Sequence, residues 1–509
     1  MHLSHIFTTV RVLLLLSFVL VAPAIVQGAY AEYELRVVDA QTQLPCSAKI
    51  RITNSRDLPQ RIDGGLMIDG TAYFTGSLKM KLRPGQYGFR LDAGPEYPFM
   101  EGHFILQSGD TDSRTIELKR FIDMKKEGWY PGNLALSGRT NDLETIMLAD
   151  DLVLGNHITW NNQINPWAGK PITTLRDEFG AFRSLWEMGG EDNRAGGKVW
   201  FARLNEPLPV QRLQPEYPAA TFFQGDLGSA HVTAASPLEP DLPLWIARDF
   251  LDSVCILGPE IEAYQFGPKH PLAEKAAEIR KGDVTGKARL ALDIYYKLLE
   301  SGIRMPPVAA NGTDEEDRSS RLDRVYAQVD GDYSPVAWWD AVDAGKVFVT
   351  NGPLLRATVE GYPPGHVFPI NIGEKHEFQI GLSLATRQTI AYLEVIKNGE
   401  KDLEISLDEY KDRRGILPPV TFTDSGWFLV RVVTQEADYY QYATTAPFYV
   451  EANGQPRISK SAAEFFRDWV FRRAMNIDLP DGPQRNEIID LQRDARDFWQ
   501  KRAKMANAP

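Results

Sequence analysis

The chain has 509 residues, enough for about three domains of ~150 residues each and for several hydrophobic cores. Apolar residues make up 43 % and charged residues 24 %, which excludes a disordered chain, a collagen, a coiled coil and a polytopic membrane protein. The net charge of −12, with no basic cluster, argues against a nucleic-acid partner, and two cysteines exclude a disulfide scaffold or a cysteine-built zinc site.

Val12 to Ala22 form an apolar run preceded by Arg11. Small residues follow at Val26-x-Gly28 and Ala29-x-Ala31, the layout of a secretory signal peptide. The run is short for a membrane span of ~20 residues. Residues 1–31 therefore read as a signal, cleaved after Gly28 or Ala31, which leaves a secreted or periplasmic protein without a transmembrane span. An uncleaved N-terminal anchor is the alternative. Cleavage removes His2 and His5 and leaves six of the eight histidines. Cys46 and Cys255 fall in different predicted domains and are not expected to pair.

From Tyr33 to about Arg120 the hydropathy alternates, as in Tyr33-Glu34-Leu35-Arg36-Val37 and Lys49-Ile50-Arg51-Ile52. Strands with one buried face are expected, arranged as a β-sandwich, with Pro84-Gly85 turning into the strand around Gly88–Leu91. After Gly128 short apolar strands alternate with helical stretches. Asn141 reads as an N-cap with Glu144 completing a capping box. Ile158–Trp160, Lys198–Ala202 and Ser253–Leu257 read as strands, and Asp241–Ala247 and Thr285–Ser301 as helices. Ser334-Pro335 opens a further helix that carries Trp338 and Trp339 and closes at Gly345. Such alternation over 128–365 predicts an α/β barrel or a layered sheet. From about His376 strands return, with an Asn398-Gly399 hairpin and strands at Phe428–Val432 and Phe448–Val450. The tail is helical, with a capping box at Ser461 and Glu464, and a last helix from Pro483 striped by Ile488, Leu491, Ala495 and Phe498.

An ordered series of short pieces resembles the carbaryl-hydrolase (CehA/McbA) family, metallohydrolases of the PHP superfamily. The series starts at Gly128-Trp129-Tyr130-Pro131-Gly132-Asn133-Leu134 and continues through Leu148–Leu152, Ile158–Asn162, Ala230-His231-Val232, Asp241–Trp245, Tyr295–Leu299 and Arg324-Val325-Tyr326. It ends at Gly345–Leu354, and the resemblance covers roughly residues 33–455. It implies a multidomain α/β plus all-β protein: a carboxypeptidase-regulatory, transthyretin-like β-sandwich over 32–127, a PHP-like distorted α/β barrel over 128–365, a second β-sandwich over 366–455 and a helical tail over 456–509.

The family's first metal motif is His-x-His at the end of the first barrel strand, where alternate side chains share a face and two imidazoles reach one metal centre. Here Ala135 and Ser137 stand at those positions, and Asn133 precedes them in place of the usual Asp. Alanine has no lone pair and a serine hydroxyl is a weak ligand. The later Asp-x-His pattern becomes Asp314 and Glu316, and Gly258-Pro259-Glu260 replaces an Asn-Asn-His ending. What remains for a metal is His231, Asp314, Glu191 and Glu316, a set matching at most a single divalent ion, zinc or manganese, with water in an open position. Each has a plainer reading: His231 as a hydrogen-bonded strand-end histidine, Asp314 as a turn-former, Glu191 as part of a solvated loop. His157, Trp160, Asn161 and Asn162 are candidates for the lining of a cleft, as are Trp129 and Trp167. Two functions follow from the resemblance. One is a pseudoenzyme that binds a small-molecule or polymer ligand without turnover. The other is a metal-dependent hydrolase of ester, carbamate or phosphoester bonds with a reduced metal site.

Overall fold

A computed structural model describes residues 30–172, 175–177, 182–210, 216, 227–228, 230–280, 283, 285–312, 322–435 and 439–509. The signal segment before Tyr30 lies outside them, as do Asp314 and Glu316. Among the described residues no helix is long and apolar enough to cross a membrane.

The alternating N-terminal segment forms two sheets. Ala31–Asp39 lies between Ser77–Leu82, antiparallel to it, and Thr111–Leu118, parallel to it. The second sheet runs Leu66–Ile68, Thr71–Thr75, Ser47–Asn54, Gly85–Asp92, Met100–Leu106. Burial follows the period of two: in Ser77–Leu82, Leu78, Met80 and Leu82 point inward. They meet Leu35, Ile50, Ile52, Phe74 and Leu91 in one core.

The central segment is a mixed α/β unit built on one long, coiled sheet. Its strands run Pro307–Ala309, Ser253–Leu257, His231–Ala234, Gly197–Ala202, Ser184–Arg194, Leu154–Asn161, Trp129–Leu136, Arg324–Gln328 and Val347–Thr350. Four inner pairings are parallel, as α/β alternation requires, and Gly197–Ala202 returns antiparallel on both sides. The path does not end at the expected domain border. Val347–Thr350 pairs with Tyr442–Thr445, and the same sheet continues through Gly426–Thr434, Ile390–Lys397 and Glu400–Ile405 of the C-terminal β-rich unit. Asn398 and Gly399 both adopt positive φ, of 49° and 81°, the two-residue hairpin turn their sequence favours.

Three side-chain contacts tie distant parts of this unit together. The Tyr442 hydroxyl donates to Ile256 O at 2.6 Å. Trp338 donates its indole N–H to Tyr130 O at 2.9 Å. Trp339, edge-on to Trp338, packs on His231. Helix Pro335–Asp343, capped by the Ser334 hydroxyl on Ala337 N, thus places two fully buried tryptophans across the end of the interior where the parallel strands begin. Among the described residues no hydrogen-bonded ladder joins Pro307–Ala309 to Arg324–Gln328. A side chain spans that gap instead: Asn133 accepts from Asn311 N at 3.2 Å and donates to Asp323 O at 2.9 Å.

Several local expectations shift. Helix Thr140–Ala149 begins one residue before Asn141, because Arg139 takes the cap position and pairs with Asp142. Helix Lys460–Met475 is capped by Ser459, whose hydroxyl accepts from Ala462 N, and not by Ser461. In helix Pro483–Lys504 the buried stripe is Ile488, Gln492, Ala495, Trp499 and Ala503. It is rotated from the expected one because Gln492 reaches Asp241 beneath the helix. These two helices pack together on Leu242–Ala247, and Trp469 and Trp499 donate to Pro240 O and Pro243 O. Trp129 sits at the start of its strand against Phe348, away from the opposite end where a cleft was expected.

Candidate functional site

In α/β folds, sites form where parallel strands end. The register sets the levels of this interior. Glu191 pairs with Trp200 and Trp200 with Thr233, on one level. Two residues toward the strand starts, Ala202 pairs with His231. Two residues toward the strand ends, Asn193 pairs with Lys198. His231 and Glu191 therefore stand on different levels, with Trp200 between them.

His231 is enclosed and fully used. Its Nδ1 lies 2.7 Å from Asp343 Oδ1 and its Nε2 2.8 Å from Ser253 Oγ, which also bonds Thr233 Oγ1 at 2.8 Å. Arg203 holds the other Asp343 oxygen at 3.1 Å. Burial raises the Asp343 carboxyl, but His231 and Arg203 overcome it and hold it below the usual range. The connectivity is that of a Ser-His-Asp array, with the burial inverted. A working nucleophile faces substrate and its carboxylate is buried. Here Ser253 has no exposed surface, while the Asp343 side chain is 42 % exposed. We expect Ser253→Ala to cost about 1–3 kcal/mol in chemical denaturation, the penalty for leaving a buried imidazole nitrogen unmatched. A fluorophosphonate probe should leave the wild-type chain unlabelled; labelling at Ser253 would reveal a working triad.

The strand-end level carries the charge. Lys198 Nζ lies 2.9 Å from Glu260 Oε2 and 3.7 Å from Glu191 Oε2. Trp200 donates its indole N–H to the same Glu191 oxygen at 3.1 Å, and Lys198 N donates to Glu239 Oε2 at 3.0 Å. Burial pushes Glu239 up to about 8, against the pull of Lys198. Burial likewise pushes Asp192 up to about 6, although Arg194 bonds it at 2.7 Å.

Glycines make this level possible. A Cβ on Gly196 would overlap the Asp241 carboxylate, and one on Gly197, at φ +117°, would overlap Glu239. A Cβ on Gly189 would strike Asn156 Oδ1, and one on Gly190 the Trp160 ring. Asn156 uses that clearance to cross the strand, donating to Leu134 O at 2.9 Å and Phe201 O at 3.3 Å.

The remaining predicted positions serve packing and turns. Ala135 is fully enclosed in the main core, and Ser137 is half-buried beyond the strand end. His157 donates from Nε2 to Gly138 O at 2.9 Å, and burial lowers its pKa. Trp160 is buried against Phe201. Asn161 Oδ1 accepts from Gln163 N and Ile164 N, both at 2.8 Å, and Asn162 Oδ1 accepts from Asn193 N at 3.2 Å. Trp167 donates to Thr159 Oγ1.

Among the described residues no group of three or more His, Cys, Asp or Glu side chains is placed to hold a metal ion. The donor chemistry of the described residues does not fit one either. Ala135 and Ser137 offer no imidazole, both His231 nitrogens are committed, and the Lys198 ammonium reaches both Glu191 and Glu260. Sequence reasoning singled out neither Lys198 nor Glu239, Ser253 or Asp343. The one available signal was a lysine sharing strand parity with Trp200 and Ala202.

No protein-family model matches the chain, and no curated protein matches it. Among solved structures, the Bacillus anthracis TIE protein aligns over 22 % of this chain and 20 % of its own, at 22 % identity and a TM-score of 0.15. A pilus-presented adhesin, Cpa, aligns over 18 % of this chain and 27 % of its own, at 14 % identity and a TM-score of 0.14. At these scores the likeness carries no argument about fold or function.

Proposed function

We propose that the chain is an exported, non-hydrolytic relative of the carbaryl-hydrolase type of PHP protein. In this reading the coiled sheet is a distorted barrel, and its strand-end mouth binds a small-molecule or polymer ligand without turnover. The contacts of Tyr442 and Trp338, with the Asn133 bridge between Asn311 and Asp323, support the barrel. The observation that carries the loss of hydrolysis is the state of His231: the one described histidine at a matching ligand position has both ring nitrogens bonded to protein. A hydrolytic metal needs about three protein ligands and a water position. Cleavage of the signal after Gly28 fits better than after Ala31, because Ala31 is fully buried and pairs with Leu82.

The test is turnover by the mature protein on aryl esters, carbamates and phosphoesters, with zinc or manganese added. The expected result is a rate equal to buffer. Hydrolysis of any of these that a chelator abolishes overturns the reading in favour of the metal-dependent hydrolase.

A further inference from the structure

Helix Gly286–Glu300 buries Ala291, Leu292, Ile294, Tyr295 and Leu298. Its polar stripe, Asp293, Lys297 and Glu300, follows the i, i+4, i+7 spacing of one helix face. That stripe does not face open solvent. It faces the Asn398-Gly399 hairpin of the C-terminal unit and the first turn of helix Lys460–Met475, across a cavity of about 470 Å³. The volume is that of a small-molecule site. Glu300 is already engaged, by Trp427 Nε1 at 2.9 Å and Arg457 Nε at 3.0 Å. The walls carry four further charges: the carboxylates of Asp293 and Glu400 and the ammoniums of Lys275 and Lys297. Among the described residues none of these four makes an ion pair or a side-chain hydrogen bond, although both signs face one space. Asp293 and Lys297 stand one helical turn apart, a spacing at which they ordinarily pair. Instead the Lys297 ammonium lies 5.4 Å from the centroid of the Phe465 ring. The charges are nonetheless within electrostatic reach of one another. Burial raises the Asp293 carboxyl, Lys297, Arg431 and Lys275 lower it, and Glu400 raises it. Of these, Arg431 is committed elsewhere, to Glu394 at 2.6 Å and the Tyr296 hydroxyl at 3.2 Å.

We propose that this cavity binds a small zwitterion of the amino-acid class, its carboxylate met by Lys297 and Lys275 and its ammonium by Asp293 and Glu400. The balance of charge selects that class. A simple anion between the lysines would face two carboxylates, and a simple cation would face two ammoniums. A ligand carrying both charges a few ångströms apart answers all four. The walls are set before it arrives: Ser459 accepts from Ala462 N at 3.2 Å, and Asn398 Oδ1 accepts from Trp427 N at 3.0 Å. Little ordering then opposes binding. The cavity shares no residue with the strand-end level, so this proposal does not rest on the proposed function, and hydrolysis assays leave it untouched.

The test is calorimetric titration of the mature protein with the free α-amino acids and with glycylglycine, each alone, beside acetate and methylammonium. At least one zwitterion should bind with a Kd of about 1 mM or tighter. Acetate and methylammonium, which carry one charge each, should bind at least about 10-fold more weakly. Asp293→Asn and Lys297→Met should each weaken the zwitterion by about 10-fold, the loss of one charge-assisted hydrogen bond. Lys411→Gln, on the separate helix Leu407–Asp412, should leave it unchanged. Absence of binding by every zwitterion overturns the proposal. So does acetate binding as tightly as the zwitterion, or an isotherm that neither Asp293→Asn nor Lys297→Met alters. Where one of these variants does not fold, the other and the acetate comparison decide.

Discussion

Gly190→Ala is expected to cost about 3 kcal/mol or more in chemical denaturation, the upper range for overpacking a rigid interior. The added Cβ would overlap Cζ2, Cε2 and Cη2 of the Trp160 indole. Trp160 has no room to retreat, because it is fully buried and stacked on Phe201 with ring centroids 5.6 Å apart. Gly190 is also the register partner of Trp160 on one side and Phe201 on the other, so backbone relief would break two ladders. Gly267→Ala is the control: nothing lies within 4 Å of its added Cβ, and a change within about 0.5 kcal/mol is expected. Equal midpoints for the two variants would mean that the Trp160 pocket yields more easily than its packing implies.

The second large effect is at the junction of the N-terminal unit with the central sheet. Asp151, at φ +56°, pairs at 2.8 Å with both Lys125 and Arg183 and at 2.5 Å with Arg120. Arg120 also holds Glu96 at 2.9 Å, and Glu96 accepts from the Tyr326 hydroxyl. Lys49 and Asp150, both nearly unexposed, pair at 2.7 Å across the same junction. Arg387, from the C-terminal unit, bonds Asp92 at 2.8 Å and packs on Phe99. Asp151→Asn should destabilise the protein by about 3 kcal/mol, because it removes the buried anion that three half-buried cations share.

The sign with pH follows from the shifts. Burial pushes Asp92 up, but Arg387 and Lys49 overcome it and hold the carboxyl at about 2, below the 3.8 of the unfolded chain. Asp151 is held well below its ordinary value in the same way, by Lys125, Arg120 and Arg183 against burial. A depressed carboxyl contributes stability above its unfolded pKa and loses it as pH falls toward the folded one. Unfolding followed by tryptophan fluorescence should therefore show wild type losing stability from about pH 4 downward. Asp151→Asn should lose less over that range. Parallel acid titrations of the two would show that Asp151 does not carry the dependence.

Local structure was legible where a few neighbouring residues decide it. Ser334-Pro335 and Asn398-Gly399 specify their cap and their hairpin by backbone preference alone, and both form as expected. Ser253–Leu257 appears with its expected bounds because a short apolar run between polar turns has few alternatives. Expectations shifted where a distant partner outweighed the local pattern. Gln492 turned the last helix toward Asp241, 251 residues away in sequence.

The candidate site divides in the same way. That Ala135 and Ser137 stand where the resemblance places His-x-His was legible in the sequence alone. The sequence also determined the strand and helix rhythm, since periods of two and 3.6 are set by backbone geometry. The tertiary structure alone decided which distant side chains meet at the site. His231 meets Asp343 across 112 residues, and Lys198 meets Glu260 across 62. These pairs exist because strand register and tertiary packing bring the side chains together, and a buried charge or imidazole must find its partner wherever the fold places one.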